Sequence, residues 1–313
     1  MEPSTLNAER ENRELNRPVV FDPALRQFIA HRAGEPRFER EEDAAQWYEC
    51  RMAVLFHILN SINNSDWSRH LVLRGSAVMM SWFGNRARRP GDLDWIVIPQ
   101  NWDVANIRSK QMIGSVMELL DGSTVRTGLV IPSNKFAMEE IWTYEKAPGL
   151  RIVVPWEFLR SRFNGTVQMD FVFGELMPSP PVVTPVTLGG STSITLQTAS
   201  REQSLAWKIL WLATDSYAMG KDLYDAVILA EGTRLEMSLL KRSFDTPEHR
   251  WYHRLDHFNR DAVLGWRIEW DDFLREYPDI GGSAHDWQIR LANALEPIFQ
   301  ELSDPEAWSR ATP

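Results

Sequence analysis

The chain has 313 residues, 43% hydrophobic and 25% charged, which is the balance of a folded protein and excludes a wholly disordered one. A formal charge of -9 argues against a protein that coats nucleic acid with its whole surface, because phosphate binding draws on lysine and arginine. That charge leaves room for a local basic path, and it suits an enzyme that gathers carboxylates around divalent ions. The length exceeds what one hydrophobic core ordinarily serves, so two packed lobes with a cleft between them are expected. The single cysteine, Cys50, cannot form an internal disulfide and fits a reducing compartment. No stretch approaches the roughly 18 apolar residues of a membrane helix, and Met1 to Arg17 has no apolar signal core. The expected location is the cytoplasm, with no membrane partner.

Residues 1–20 show no apolar period and read as a flexible lead, after which Asp22-Pro23 signals a helix start. From Glu41 to Ile62, Trp47, Val54, Leu55, Ile58, Leu59 and Ile62 recur at helical spacing, and Asn63-Asn64-Ser65-Asp66 ends that amphipathic helix. Leu71-Val72-Leu73, then Gly75-Ser76, then a segment to about Phe83 read as strand, tight turn and helix. A strand at Leu93 to Ile98, stopped by Pro99, precedes an amphipathic helix over Val104 to Leu120. Between Met138 and Val154, Ala147-Pro148-Gly149 predicts the turn of a β-hairpin. Asn164-Gly165 introduces another strand, in which Val167, Met169, Phe171 and Phe173 share one face and Gln168, Asp170 and Val172 the other.

Met177 to Ser200 gathers proline, glycine, serine and threonine and reads as a linker. Beyond it the pattern is almost entirely helical: Glu202 to Ala213, Lys221 to Glu231, Arg234 to Phe244, Pro247 to Asn259 and Ala284 to Leu302. The expected architecture is α/β (α+β), with a mixed-sheet core over 21–195 and a C-terminal helical bundle over 196–313.

The chemistry centres on Arg74-Gly75-Ser76 after a strand, followed by Asp92-Leu93-Asp94 at the start of another. Side chains alternate along a strand, so Asp92 and Asp94 face the same way and can meet one pair of metal ions, for which Mg2+ or Mn2+ suits the oxygen ligands. Two such ions, about 4 Å apart, activate an attacking hydroxyl and offset the charge of leaving pyrophosphate. Asp170 is the candidate third carboxylate. Gly75 lets the backbone approach a triphosphate, and Ser76 with the free amides of the following helix can hold a phosphate. Arg86, Arg88 and Arg89 precede the aspartates, where they can attract a triphosphate or an RNA backbone or be ordinary solvated loop residues; Arg89 is the candidate for a nucleotide role.

With these motifs the sequence resembles the nucleotidyltransferase superfamily of DNA polymerase beta, whose signature is a glycine-serine or glycine-glycine turn, a helix and an Asp-x-Asp strand. Further on, Lys208 in Leu205-Ala206-Trp207-Lys208 and the run Gly220-Lys221-Asp222-Leu223-Tyr224-Asp225 look like the later motifs of the AbiEii toxin family. The resemblance implies transfer of a nucleoside monophosphate from a nucleoside triphosphate to RNA, with the acceptor end of transfer RNA as the substrate of similar toxins. It also implies a role in toxin-antitoxin and phage-defence systems and a cognate antitoxin. Lys208 would contact the nucleotide phosphates, and Asp222 or Asp225 would complete the site. The residues themselves add that Lys208 is a cation and that Asp222 and Asp225 share a helix face, without choosing between them.

Within the enzyme class, a nucleotidyltransferase acting on a small molecule such as an antibiotic is the alternative, because the same core serves both tasks. Outside it stands an inactive protein that uses the fold to bind RNA or a partner. His249, His253 and His257 recur at one-turn spacing but read as part of an ordinary mixed helix, and the fourteen tryptophans as core packing.

Overall fold

The computed structural model describes residues 17–22, 24, 31–121, 128–143, 147–161, 163–245 and 255–304. The chain divides into two compact units, Met1–Glu175 with Pro181–Thr198, and Leu176–Pro180 with Ala199–Pro313. Most of the expected flexible lead, the helix expected after Asp22-Pro23, and His249 and His253 lie outside the described residues.

The first unit opens with β1 (Val19–Phe21) antiparallel to β2 (His31–Ala33), then α1 (Glu41–Asn63), β3 (Leu71–Arg74), α2 (Ser76–Phe83), β4 (Asp92–Val97) and α3 (Ile107–Leu120). It continues through β5 (Leu129–Val130), β6 (Ala137–Thr143), β7 (Ala147–Phe158), β8 (Asn164–Val172), β9 (Val182–Val186) and β10 (Ile194–Thr198). Eight strands form one sheet in the order β5-β7-β8-β4-β3-β10-β9, with β6 alongside β7. The sheet is mixed: β4 runs parallel to β8 and β10 to β3, and the other pairs are antiparallel.

Alternation along the strands decides which face is apolar. Leu93, Trp95 and Val97 of β4, Val167, Met169 and Phe171 of β8, and Ile152, Val154 and Trp156 of β7 join one buried cluster with Phe173. The face predicted for α1, from Trp47 through Ile62, packs into that cluster together with Met112, Ile113, Val116 and Leu120 of α3. Acidic Glu41, Glu42 and Asp43 occupy its first turn, where they complement the helix dipole. Asp92, Asp94, Asp170 and Arg151, at the intervening strand positions, take no part in the cluster.

Three local expectations change. Ala147, Pro148 and Gly149 are strand rather than turn, paired with Thr143, Trp142 and Ile141. The Pro148 carbonyl accepts from Phe173 N at 3.0 Å, and a Cβ on Gly149 would lie 2.8 Å from the Phe171 carbonyl, so tight cross-strand packing sets the glycine here. The composition-biased stretch read as a linker contains β9 and β10, which complete the sheet edge. The helix expected over Ala284 to Leu302 is two, because Leu295 ends one and Pro297 sits in the first turn of the next.

The second unit runs α4 (Arg201–Thr214), β11 (Ala218–Met219), α5 (Gly220–Gly232), α6 (Met237–Phe244), α7 (Arg260–Leu264), β12 (Ile268–Glu269), α8 (Trp270–Glu276), α9 (Ala284–Ala294) and α10 (Glu296–Ser303). Ser200 caps α4 by accepting from Gln203 N at 3.1 Å, and Ser283 with Asp286 forms a capping box on α9. A short parallel pair, β11 with β12, was not expected from the sequence. Among the described residues no helix is long and apolar enough to cross a membrane.

Gly165 shows how closely the sheet core is packed. The Trp47 and Trp156 rings lie 5.6 Å apart, Trp47 Nε1 donates to the Asn164 carbonyl at 2.8 Å, and a Cβ on Gly165 would sit 2.9 Å from Trp156 Cζ2 and 3.1 Å from Trp47 Cζ2. Gly165→Ala is therefore expected to lower stability by about 1–3 kcal/mol, read as a fall in the urea midpoint at unchanged slope.

Candidate active site

β3 and β4 are antiparallel neighbours joined through α2, which brings the Gly75-Ser76 turn beside the start of β4. Gly75 has φ 79°, in the left-handed region open to glycine, and a Cβ there would lie 2.2 Å from Asp94 Oδ2. The glycine thus makes room for the carboxylate itself. Ser76 Oγ donates to Asp92 Oδ1 at 3.2 Å, so the hydroxyl expected to hold a phosphate touches the first aspartate. Asp92 and Asp94 are both half-buried on one face of β4.

The strand register lines charged residues up across the sheet. Arg74 pairs with Asp94, Asp94 with Asp170, and Asp170 with Arg151, so one row crosses β3, β4, β8 and β7. Directly paired strand residues lie on the same face within about 5 Å, which places two carboxylates side by side. Arg151 donates from Nε to Asp170 Oδ1 and from Nη2 to Asp170 Oδ2, each at 2.8 Å, and from Nη1 to Asp22 Oδ2 at 2.5 Å. All three side chains are buried, and the two carboxylates hold the guanidinium pKa well above its usual value against the opposing effect of burial. At the other end Arg74 Nη1 donates to Glu175 Oε1 at 2.6 Å.

The donor set at Asp92 and Asp94 fits a hard divalent ion: two carboxylates of one strand face beside a hydroxyl. Asp170 presents both oxygens to Arg151 instead. In keeping with that, among the described residues no group of three or more His, Cys, Asp or Glu side chains is placed to hold a metal.

The basic loop before β4 is also held. Arg89 is exposed, and its guanidinium lies 4.3 Å from the centre of the Tyr48 ring on α1. Arg51, one turn further along α1, is buried, pairs with Glu35 at 2.9 Å and lies 4.9 Å from the same ring. A Cβ on Gly91 would meet Arg51 Nη1 and Glu35 Oε1 at 3.4 Å, so this ion pair lies directly against the residue preceding Asp92. Burial and the Glu35 carboxylate push the Tyr48 hydroxyl pKa up, which keeps it protonated.

In the second unit Lys208 of α4 is buried and meets both candidate aspartates of α5. Nζ lies 2.6 Å from Asp222 Oδ1, 3.1 Å from Asp225 Oδ2 and 5.2 Å from the centre of the Trp211 ring. Gly220 opens α5 where a Cβ would come within 2.5 Å of Phe273 Cβ.

Residues 57–295 match the family described as nucleotidyl transferase AbiEii toxin of type IV toxin-antitoxin systems. The chain belongs to the AbiEii family. The match takes in every candidate site residue named from the sequence and leaves Asp22, Tyr48 and Arg51 outside. Two solved Helicobacter pylori structures are similar, JHP933 at 13% identity and a chain provisionally described as a nucleotidyltransferase at 14%. Each has a TM-score of 0.48 and covers 84% of this chain and 97% of its own. No curated protein matches the chain.

The candidate site residues of this AbiEii chain fall in two clusters: Gly75, Ser76, Asp92, Asp94 and Asp170 at the sheet, and Lys208, Asp222 and Asp225 on the helices. Sequence reading missed Arg151, Asp22, Tyr48, Arg51 and the Arg74–Glu175 pair. The available signal for Arg151 was a lone charge inside the apolar run Leu150 to Val154; for Asp22 there was none.

Two outcomes follow from the geometry. Gly75→Ala displaces the Asp94 carboxylate, so transferase activity is expected to fall as far as in Asp94→Ala while the melting temperature drops only by the few degrees of about 1–2 kcal/mol of backbone strain. Lys208→Met leaves two buried carboxylates without their shared cation and is expected to cost about 3–5 kcal/mol by urea unfolding, with Asp225→Asn in the same background recovering part of it.

Proposed function

We propose that the chain is a cytoplasmic toxin that transfers a nucleoside monophosphate from a nucleoside triphosphate to an RNA hydroxyl, at the acceptor end of transfer RNA, under control of a cognate antitoxin and in defence against phage. The observation that carries this reading is the shared face of Asp92 and Asp94 beside the Gly75-Ser76 turn, in a chain of the AbiEii family.

Asp92 and Asp94 are the residues that hold Mg2+ or Mn2+. Bound there, a divalent ion supplies acidification of the acceptor hydroxyl and neutralises charge on the leaving pyrophosphate. Asp170, beside Asp94 in the row, joins them as third carboxylate when Arg151 releases it. The Gly75-Ser76 turn and the amides opening α2 receive phosphate oxygens, with the Ser76 hydroxyl moving from Asp92 to the substrate. Arg89, steadied on the Tyr48 ring, offers its guanidinium to the triphosphate or the RNA backbone. Lys208, whose ammonium Asp222 and Asp225 orient, is the residue that the family resemblance assigns to nucleotide phosphates.

The test incubates the full chain with Mg2+, total RNA and each radiolabelled nucleoside triphosphate in turn. Label is expected in the transfer RNA fraction and is expected to fall about a hundredfold or more in Asp94→Ala. Label appearing only in small molecules supports the antibiotic-modifying alternative, and equal labelling by Asp94→Ala, or none at all, removes the proposal.

A further inference from the structure

The row across the sheet contains a conflict that one residue outside the family match resolves. Asp94 and Asp170 are direct partners on parallel strands, and like charges so placed repel. Arg151 meets Asp170 from the neighbouring strand β7 with two hydrogen bonds, one to each carboxylate oxygen, and so places a positive charge beside the group that would serve as a third metal ligand. Its guanidinium is not committed to Asp170 alone. Its Nη1 donates to Asp22, which is buried and reaches the row from the segment following β1.

This arrangement has a specific consequence for cation binding. A buried guanidinium that loses its only carboxylate becomes an uncompensated charge, which costs several kcal/mol. With Asp22 in contact, Arg151 can leave Asp170 and remain paired. A divalent ion at Asp92 and Asp94 attracts Asp170 and repels Arg151, so the two cations compete for one carboxylate. We propose that Arg151 is a resident counter-cation for Asp170 that the divalent ion displaces, and that Asp22 is the acceptor that draws the guanidinium away. Arg151 and Asp22 are positioning residues, acting on the site through Asp170. The inference rests on the reading of Asp92 and Asp94 as metal ligands.

Mn2+ binding to the full chain without nucleotide, followed by the loss of the free-ion paramagnetic resonance signal, tests it apart from activity. Asp22→Ala is expected to weaken Mn2+ binding by about three- to tenfold, because Arg151 then stays on Asp170. Arg151→Gln is expected to tighten it by a similar factor, and the double variant to bind like Arg151→Gln alone, since Asp22 acts only through Arg151. Unchanged affinity in Asp22→Ala, or an Asp22 effect that persists in the Arg151→Gln background, overturns the inference. Should Arg151→Gln not fold, Asp22→Ala and the isosteric Asp22→Asn decide it, since a purely structural aspartate lowers the melting temperature of both without weakening Mn2+ binding. Asp94→Ala separates the two levels: if it binds Mn2+ as tightly as the parent chain, the metal-site reading fails; if it abolishes binding while the Asp22 and Arg151 variants change nothing, only the counter-cation inference fails.

Discussion

Two aspartates standing as direct partners on neighbouring parallel strands, Asp94 and Asp170, set the requirement that the charged face of the sheet answers. Negative charges so close need positive ones within the same low-dielectric surroundings, because solvent reaches a row of buried and half-buried residues poorly. Arg151 supplies charge from β7, and Arg74 continues the row on β3. Each arginine in turn is balanced by a carboxylate from elsewhere in the chain, Asp22 and Glu175. The row therefore ties the start of the described chain and the end of the sheet's central strands to the Asp-x-Asp motif.

The opposite face makes this affordable. Its aromatic and aliphatic side chains pack against α1 without gaps that would admit an extra methyl at Gly165, so the strands cannot shift register to relieve the repulsion. The same helix carries Tyr48 and Arg51 to the loop before β4, where Arg51 and Glu35 lie against Gly91 and Arg89 rests on Tyr48. One element thus builds core with one set of residues and orders the approach to the aspartates with another.

In the second unit the same electrostatic logic appears in smaller form. Lys208, Asp222 and Asp225 are buried together, carrying one net negative charge in a helical core. Lys208 stands between apolar neighbours on α4, and two carboxylates a turn apart on α5 receive its ammonium. Both aspartates contact it, so the choice between them that the sequence left open is, in contact terms, no choice.

Local pattern was enough for much of this protein. The face of α1, the alternation of β8, the Gly75-Ser76 turn ahead of Asp92 and Asp94, and the helices bearing Lys208 and Asp222 all follow from periodicity and turn chemistry, which depend on residues close in the chain. The motifs that resemble the AbiEii family were legible for the same reason. Strand pairing was not: whether Pro148-Gly149 turns or continues, and whether 177–200 links or completes a sheet, depends on which distant strand lies alongside. The partner of a charge is likewise a tertiary fact. Only folding brings Asp22 to Arg151, across a sequence separation of 129, and only the pairing of β7 with β8 sets that guanidinium against Asp170.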